Sequence, residues 1–159
     1  MMAISDESDI SLADRAGALL AANGLCCMCA RTIVSDWVKL FVEHKRPREW
    51  GVSGDLTNLW AVCGPCHGVK STLLSSLRTK IDGQDVHVRI GETLKAVGVG
   101  EGTPSWLLEI VADQANWRAR LRELREPGIG WEIEARRRRV AYGRILADYI
   151  LRREGKLVQ

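Results

Sequence analysis

The sequence predicts an α+β protein in which a compact, cysteine-bearing unit is preceded by a helix and followed by a helical hairpin. Short runs of strand-forming residues lie near two cysteine pairs, and apolar residues recur at helical spacing on either side. At 159 residues the chain can bury a core of its own. We expect three segments: the compact unit over residues 1–82, a linker or edge strand over 83–103, and the hairpin over 104–159.

The first half of the chain alternates between helix and strand signals. Residues 11–22 repeat apolar side chains at helical spacing and are predicted to form a helix. Residues 37–42 and 59–62 are rich in strand formers, and a loop with proline and glycine over residues 45–55 separates them. A further helix is predicted over residues 66–80, because apolar residues again recur on one face.

The second half carries weaker and longer signals. Apolar residues alternate between Val86 and Ile90 within the glycine-punctuated segment 84–103, which indicates an edge strand. Thr103 and Pro104 then read as a helix start, with Pro104 at the first helical position. Near-heptad spacing follows, and residues 131–154 are predicted to form a second long helix.

Composition and charge exclude several classes of protein. The 23 basic and 20 acidic residues give a net charge of +3, which is too small to indicate a nucleic-acid partner by itself. No apolar run approaches the length of a membrane span. The amino-terminal residues are acidic, unlike the basic start of a secretory signal. We therefore expect a cytoplasmic protein with no membrane partner.

The five cysteines fall in two clusters that contain the C-x-x-C pairs Cys26/Cys29 and Cys63/Cys66. An odd count without an export signal disfavours disulfides, because cytosolic thiols stay reduced. Two such pairs have the spacing of a tetrahedral thiolate zinc site. Cys27 is left over and is interpreted as a flanking or buried thiol. The alternative is two unrelated redox or core cysteine pairs.

Two histidines and an asparagine stand in register with these cysteines. An acid-His pair, Glu43-His44, is followed by x-x-Pro, a glycine-containing loop and Asn58-Leu59, and then by C-x-x-C-His-x-x-Lys with His67 directly after the last cysteine. This pattern resembles the HNH endonuclease family. The resemblance covers roughly residues 25–72 and leaves residues 81–159 outside it.

The resemblance implies a ββα-metal finger that hydrolyses DNA phosphodiester bonds and leaves 5′-phosphate and 3′-hydroxyl ends. His44 would be the general base and Asn58 would orient it across the hairpin loop. Glu43 and His67 would hold one catalytic Mg²⁺ or Mn²⁺, separate from the structural Zn²⁺. RNA is not excluded as a substrate. Four basic residues near the site are predicted to contact nucleic acid: Lys45, Arg46, Arg48 and Lys70.

Two other functions stay open from the sequence. One is a non-catalytic zinc module that binds nucleic acid or a partner protein, and the other is a nuclease subunit of a larger assembly in phage defence or restriction. The run of four arginines at residues 136–139 lies within the predicted second helix. It fits a solvated surface or a phosphate-binding arm equally well. The apolar stripes over residues 104–159 add a homodimer or partner-protein interface as a third use.

Overall fold

A computed structural model describes residues 9–34, 36–47, 50, 56–140 and 143–156. The chain divides into two compact units, Met1–Ser71 and Thr72–Gln159. The α+β class is confirmed, because helices and two small antiparallel sheets are both present. Within the described residues, no helix is long and apolar enough to cross a membrane.

The first unit opens with α1, Leu12–Ala21, which confirms the helix predicted over residues 11–22. The Ser11 hydroxyl begins the helix by accepting a hydrogen bond from the Asp14 backbone N–H at 3.1 Å. Asn23 and Gly24 follow the helix with positive φ angles of 52° and 67°. Both residue types tolerate this conformation, so the chain can leave the helix in a tight turn.

A two-stranded antiparallel sheet follows, formed by β1, Leu40–His44, and β2, Leu59–Cys63. The second strand lies where the sequence predicts it, and all five of its residues are buried. The first begins three residues later than predicted. Trp37 has a φ of +55°, which is incompatible with an extended strand.

The helix α2, Gly64–Ile81, follows β2 without a loop, as predicted for residues 66–80. The chain therefore runs strand, strand, helix through the cysteine-rich segment. This order places the end of β1, the end of β2 and the first turns of α2 within one small unit.

The linker or edge strand predicted over residues 83–103 is wrong for most of its length, because α3 occupies Val86–Val97. Val86, Ile90 and Leu94 recur every four residues and are buried along one face of this helix. The segment forms a helix because this four-residue spacing buries one apolar face, although its β-branched residues also alternate as they would in a strand. Only the short β3, Gly102–Pro104, is an edge strand, and it pairs with a strand near the carboxyl terminus.

The helix predicted from Pro104 onward is present but broken into α4, Ser105–Ala112, and α5, Trp117–Leu124. Pro104 is the residue before the first helical position rather than the first helical residue. Asp113 adopts a left-handed φ of 53°, which ends α4 although the apolar spacing continues.

The prediction of a second long helix over residues 131–154 is wrong, because two antiparallel strands occupy this segment. These are β4, Glu132–Arg139, and β5, Ile145–Arg153, in a three-stranded sheet of order β3-β5-β4. Tyr149 and Leu151 lie two residues apart and are both buried in the core of the second unit. Packing against that core prevails over the good helix propensity of the arginines.

The core of the second unit combines its helices with the inner face of the sheet. The Trp117 and Tyr149 rings meet edge to face with centroids 5.8 Å apart. Its buried members are Val86, Ile90, Leu94, Leu108, Ala112, Trp117, Leu121, Leu124, Trp131, Ile133, Tyr149 and Leu151.

Candidate functional site

Four cysteines of the first unit converge on one point. The sulfurs of Cys26, Cys29, Cys63 and Cys66 all lie within 4.8 Å of one another. The Sγ atoms of Cys29 and Cys63 are 3.7 Å apart. Tetrahedral coordination with metal–sulfur bonds of about 2.3 Å separates ligand sulfurs by about 3.8 Å. The four cysteines predicted as one site are therefore positioned to hold a single metal ion.

Two local structures bring the cysteines together. The first pair lies in a turn that follows α1, where the Ala30 backbone N–H donates to the Cys26 carbonyl at 2.8 Å. The second pair spans the junction of β2 and α2, since Cys63 ends the strand and Cys66 lies in the first turn of the helix. The Cys63 backbone N–H donates to the Cys26 sulfur at 3.3 Å, which joins the two halves.

Burial and backbone hydrogen bonds set the acidity of these thiols. Burial raises the pKa of Cys29 and Cys66 above the ordinary thiol value. Burial also opposes ionisation of Cys26, but hydrogen bonds from the Cys29 and Cys63 backbone outweigh it and lower the pKa of Cys26. A bound cation favours the thiolate form of every ligand. Cys27 is half-buried and is not a member of the cluster.

The carboxylate of Glu43 is buried and is surrounded by donors from β2 and α2. Its Oε1 accepts from the Trp60 indole N–H at 3.1 Å and from the Lys70 ammonium at 3.0 Å. Its Oε2 contacts the Nδ1 of His67. Glu43 lies opposite Trp60 in the hairpin, and His67 and Lys70 lie three residues apart on α2. The two predicted ligands of the catalytic ion, Glu43 and His67, are therefore in contact.

Lys70 is buried, which departs from its predicted role as a surface contact for phosphate. Only 5% of the residue is exposed. Its ammonium donates to the Glu43 carboxylate and also to the His44 carbonyl at 2.6 Å. Burial lowers the pKa of Lys70, and the charge of Glu43 opposes that shift. Lys70 thus joins α2 to the end of β1 from inside the protein.

Asn58 is buried next to the end of β1 and holds the backbone that follows His44. Its Oδ1 accepts from the Arg46 N–H at 2.9 Å, and its Nδ2 donates to the Arg46 carbonyl at 3.1 Å. The Lys45 N–H donates to the Asn58 carbonyl at 2.6 Å. The predicted orienting residue therefore acts on the backbone of residues 45–46, directly after His44.

Two of the remaining predicted nucleic-acid contacts, Lys45 and Arg46, directly follow β1. The Lys45 ammonium lies 5.9 Å from the centre of the Trp60 ring, and the Arg46 guanidinium lies 5.1 Å from that of Trp50. Both basic residues are half-buried. Arg48 lies outside the described residues.

The sequence did not predict that Trp60 donates a hydrogen bond to Glu43, and it placed Lys70 on a nucleic-acid surface rather than in a buried ion pair with Glu43. Both contacts with Glu43 depend on the register of the hairpin and on the docking of α2, which no local pattern reveals. The usable signal is the spacing of His67 and Lys70, since residues three apart share one face of a helix.

We compared the chain with known protein families, curated proteins and solved structures. The chain matches no family profile, no curated protein and no solved structure.

Proposed function

We propose that the chain is a metal-dependent endonuclease of the HNH type that hydrolyses DNA phosphodiester bonds. One observation carries the proposal: Glu43 Oε2 contacts His67 Nδ1, Glu43 directly precedes His44 at the end of β1, and the hairpin leads into the helix that carries His67. A carboxylate oxygen and an imidazole nitrogen are both ligands of catalytic divalent ions. Glu43 and His67 would together hold one Mg²⁺ or Mn²⁺.

The surroundings of this pair suit a cation. Two donors already occupy Oε1 of Glu43, so Oε2 is the oxygen left for a ligand role. An ion would lie between Oε2 and the His67 ring and replace their direct contact. The His67 side chain is 30% exposed, which leaves one side open to water and to a phosphate. A bound ion would neutralise charge that develops on the phosphate and on the leaving oxygen.

His44 is the proposed general base, because a neutral imidazole accepts a proton near working pH. Neighbouring residues on a regular strand face opposite sides, which would separate His44 from Glu43. His44 is the last residue of β1, where regular pairing ends. Lys70 fixes the backbone at this point through the His44 carbonyl, and Asn58 fixes it directly afterwards through Arg46.

The four-cysteine cluster is proposed to hold Zn²⁺ in a structural role. Four thiolates are the donor set of closed structural zinc sites, which leave no position for water or substrate. Cys66 directly precedes His67, so this ion would fix the start of α2 that presents the imidazole.

A second candidate function is a zinc module without catalytic activity. It is favoured by the full set of protein donors around Glu43, which a purely structural buried carboxylate would also require. Cleavage assays separate the two candidates.

The decisive test is cleavage of supercoiled plasmid with Mg²⁺ or Mn²⁺ by the wild type and by His44→Ala. We expect the substitution to slow cleavage by about 10²- to 10⁴-fold, because it removes the base and leaves the proposed metal ligands in place. Bound zinc and DNA affinity should stay unchanged. His87→Ala, which removes the histidine in α3, is the matched control and should still cleave.

His67→Ala tests the proposed catalytic ion. It should raise the Mg²⁺ or Mn²⁺ concentration needed for half-maximal cleavage, and excess metal should partly restore the rate. No cleavage by either the wild type or His44→Ala would favour the non-catalytic module, and equal cleavage by both would overturn the proposed role of His44 as the base.

A further inference from the structure

The carboxyl-terminal hairpin extends past the sheet as a ribbon of two strands. β3 pairs with β5 only from Asp148 to Ile150. Beyond that point β4 and β5 pair with each other alone among the described residues, from Arg137 opposite Ala147 to Arg139 opposite Ile145. The Val140 N–H continues the ladder by donating to the Arg144 carbonyl at 2.8 Å. We name residues 136–140 and 143–147 the arginine ribbon.

Positive charge is concentrated on this hairpin. Residues 132–153 contain seven arginines and three acidic residues, whereas the other 137 residues contain 16 basic and 17 acidic ones. The three acidic residues are all paired within the hairpin, in ion pairs that join Glu132 to Arg153, Glu134 to Arg152 and Asp148 to Arg138. The excess charge therefore comes from arginines beyond these pairs.

Two of those arginines share one face of the ribbon. Arg137 and Arg139 lie two residues apart on β4, so their side chains leave the same face, about 7 Å apart along the strand. Both residues are exposed. Neither side chain forms a hydrogen bond or an ion pair with any residue that the structure describes, and only their backbones are paired, in the ladder with β5. Their planar guanidinium groups suit phosphate and the edges of bases.

We propose that the arginine ribbon binds duplex DNA by entering the major groove, with Arg137 and Arg139 directed at the DNA. The major groove of B-form DNA is about 12 Å wide and admits a two-stranded β-ribbon. The major groove of an RNA duplex is too narrow and deep for side chains to read. The shape of the ribbon thus selects DNA, while its charge supplies affinity.

This binding surface belongs to the second unit and uses none of the proposed cleavage residues. It can therefore be tested without cleavage. The experiment measures binding of the full chain to a labelled 20-base-pair DNA duplex by fluorescence anisotropy, without added Mg²⁺ or Mn²⁺, over a series of KCl concentrations. Failure of this test leaves the proposed nuclease activity untouched, and failure of cleavage leaves this test readable.

The test variant is Arg137→Ala with Arg139→Ala, and the control is Arg152→Ala with Arg153→Ala. The control removes the same charge from the same hairpin, at arginines already paired with glutamates. We expect the test variant to bind about tenfold or more weakly and to lower the salt slope by about two, since each phosphate contact contributes about 0.9. The control should change affinity by less than about threefold. Thermal melting should show that both variants stay folded.

Three results would overturn the proposal. Equal losses in both variants would mean that net charge alone attracts DNA, and unchanged binding in the test variant would mean that the ribbon is a solvated surface. Equal affinity for polyglutamate and for the DNA duplex would point to an acidic protein partner. Weaker binding of an RNA duplex of the same sequence would support recognition through the major groove.

Discussion

The two units of the chain are organised by different forces. The first has a small apolar cluster formed by Ile10, Ala18, Val42 and Leu59. The first unit also holds the four-cysteine cluster and the buried Glu43–Lys70 ion pair. The second has a larger apolar core built from α3, α4, α5 and the sheet, with fully buried tryptophan and leucine side chains.

The difference between the two units shows how a small unit with buried polar groups can be stabilised. Small domains bury too little apolar surface to be stable by that means alone, and metal ligation commonly supplies what is missing. A buried ion pair adds little net stability, but it holds its partners in one arrangement. The first unit therefore has a small apolar core and polar groups held in fixed positions, whereas the second unit is held together by the packing of apolar side chains.

The largest effect should follow from Cys63→Ser. Binding of structural zinc contributes about 10–16 kcal/mol in small zinc domains, and ligation is coupled to folding. We expect the variant to lose its metal and the slow amide exchange of β1 and β2, while the amides of α5 remain protected. Elemental analysis and hydrogen exchange measure both outcomes.

Cys27→Ser is the matched control for that experiment, because Cys27 lies outside the cluster. It should keep one metal ion per chain and normal exchange. Full metal content in the Cys63→Ser protein would contradict the assignment of the cluster.

A smaller effect, confined to the second unit, should follow from Leu121→Ala. Leu121 is 2% exposed within the core, so the substitution leaves a cavity that should cost about 2–5 kcal/mol of unfolding free energy. Denaturant unfolding monitors the loss. Because Leu121 lies in the second unit, the metal content of the variant should not change. Release of the metal by this variant would show that the two units are stabilised together rather than separately.

The smallest effect should come from Asp85→Ala at the start of α3. The Asp85 carboxylate accepts from the His87 N–H at 3.0 Å, and losing such a cap costs about 1 kcal/mol. This hydrogen bond, with help from the His87 side chain, lowers the pKa of Asp85.

The pH dependence of that effect has a definite sign. A carboxyl whose pKa is lowered by folding stabilises the protein above its unfolded pKa of about 3.9, and the contribution disappears as pH falls through the folded value. Unfolding curves of the wild type and Asp85→Ala should therefore differ at pH 6 and converge below about pH 4. A constant difference at all pH values would assign the effect to something other than the charged cap.

Local signals predicted the first unit far better than the second. The cysteine spacing, the helix α1 and the apolar run of β2 each depend on a few neighbouring residues, and all three are confirmed. The contacts of Glu43 with Trp60 and Lys70 depend on strand register and helix docking, so no stretch of sequence contains them.

The second unit shows why periodicity alone was insufficient. Residues 86–94 fit both an alternating pattern and a four-residue spacing, and the buried positions of the helix decide between them. Residues 132–139 have helix-favouring arginines, but Ile133 faces the core from a strand that pairs with β5. Long-range pairing of this kind overrides local propensity.

The adjacency of Cys66 and His67 would couple binding at the four-cysteine cluster to binding at the proposed Glu43–His67 site. Both residues lie in the first turns of α2, so an ion that fixes the Cys66 sulfur also fixes the His67 imidazole that contacts Glu43. Linkage is reciprocal, so an ion on the cysteines and a ligand on the Glu43–His67 pair should each tighten the other. Oxidation of the thiols would break that link, so an oxidising environment would weaken ligand binding by the Glu43–His67 pair without modifying either residue.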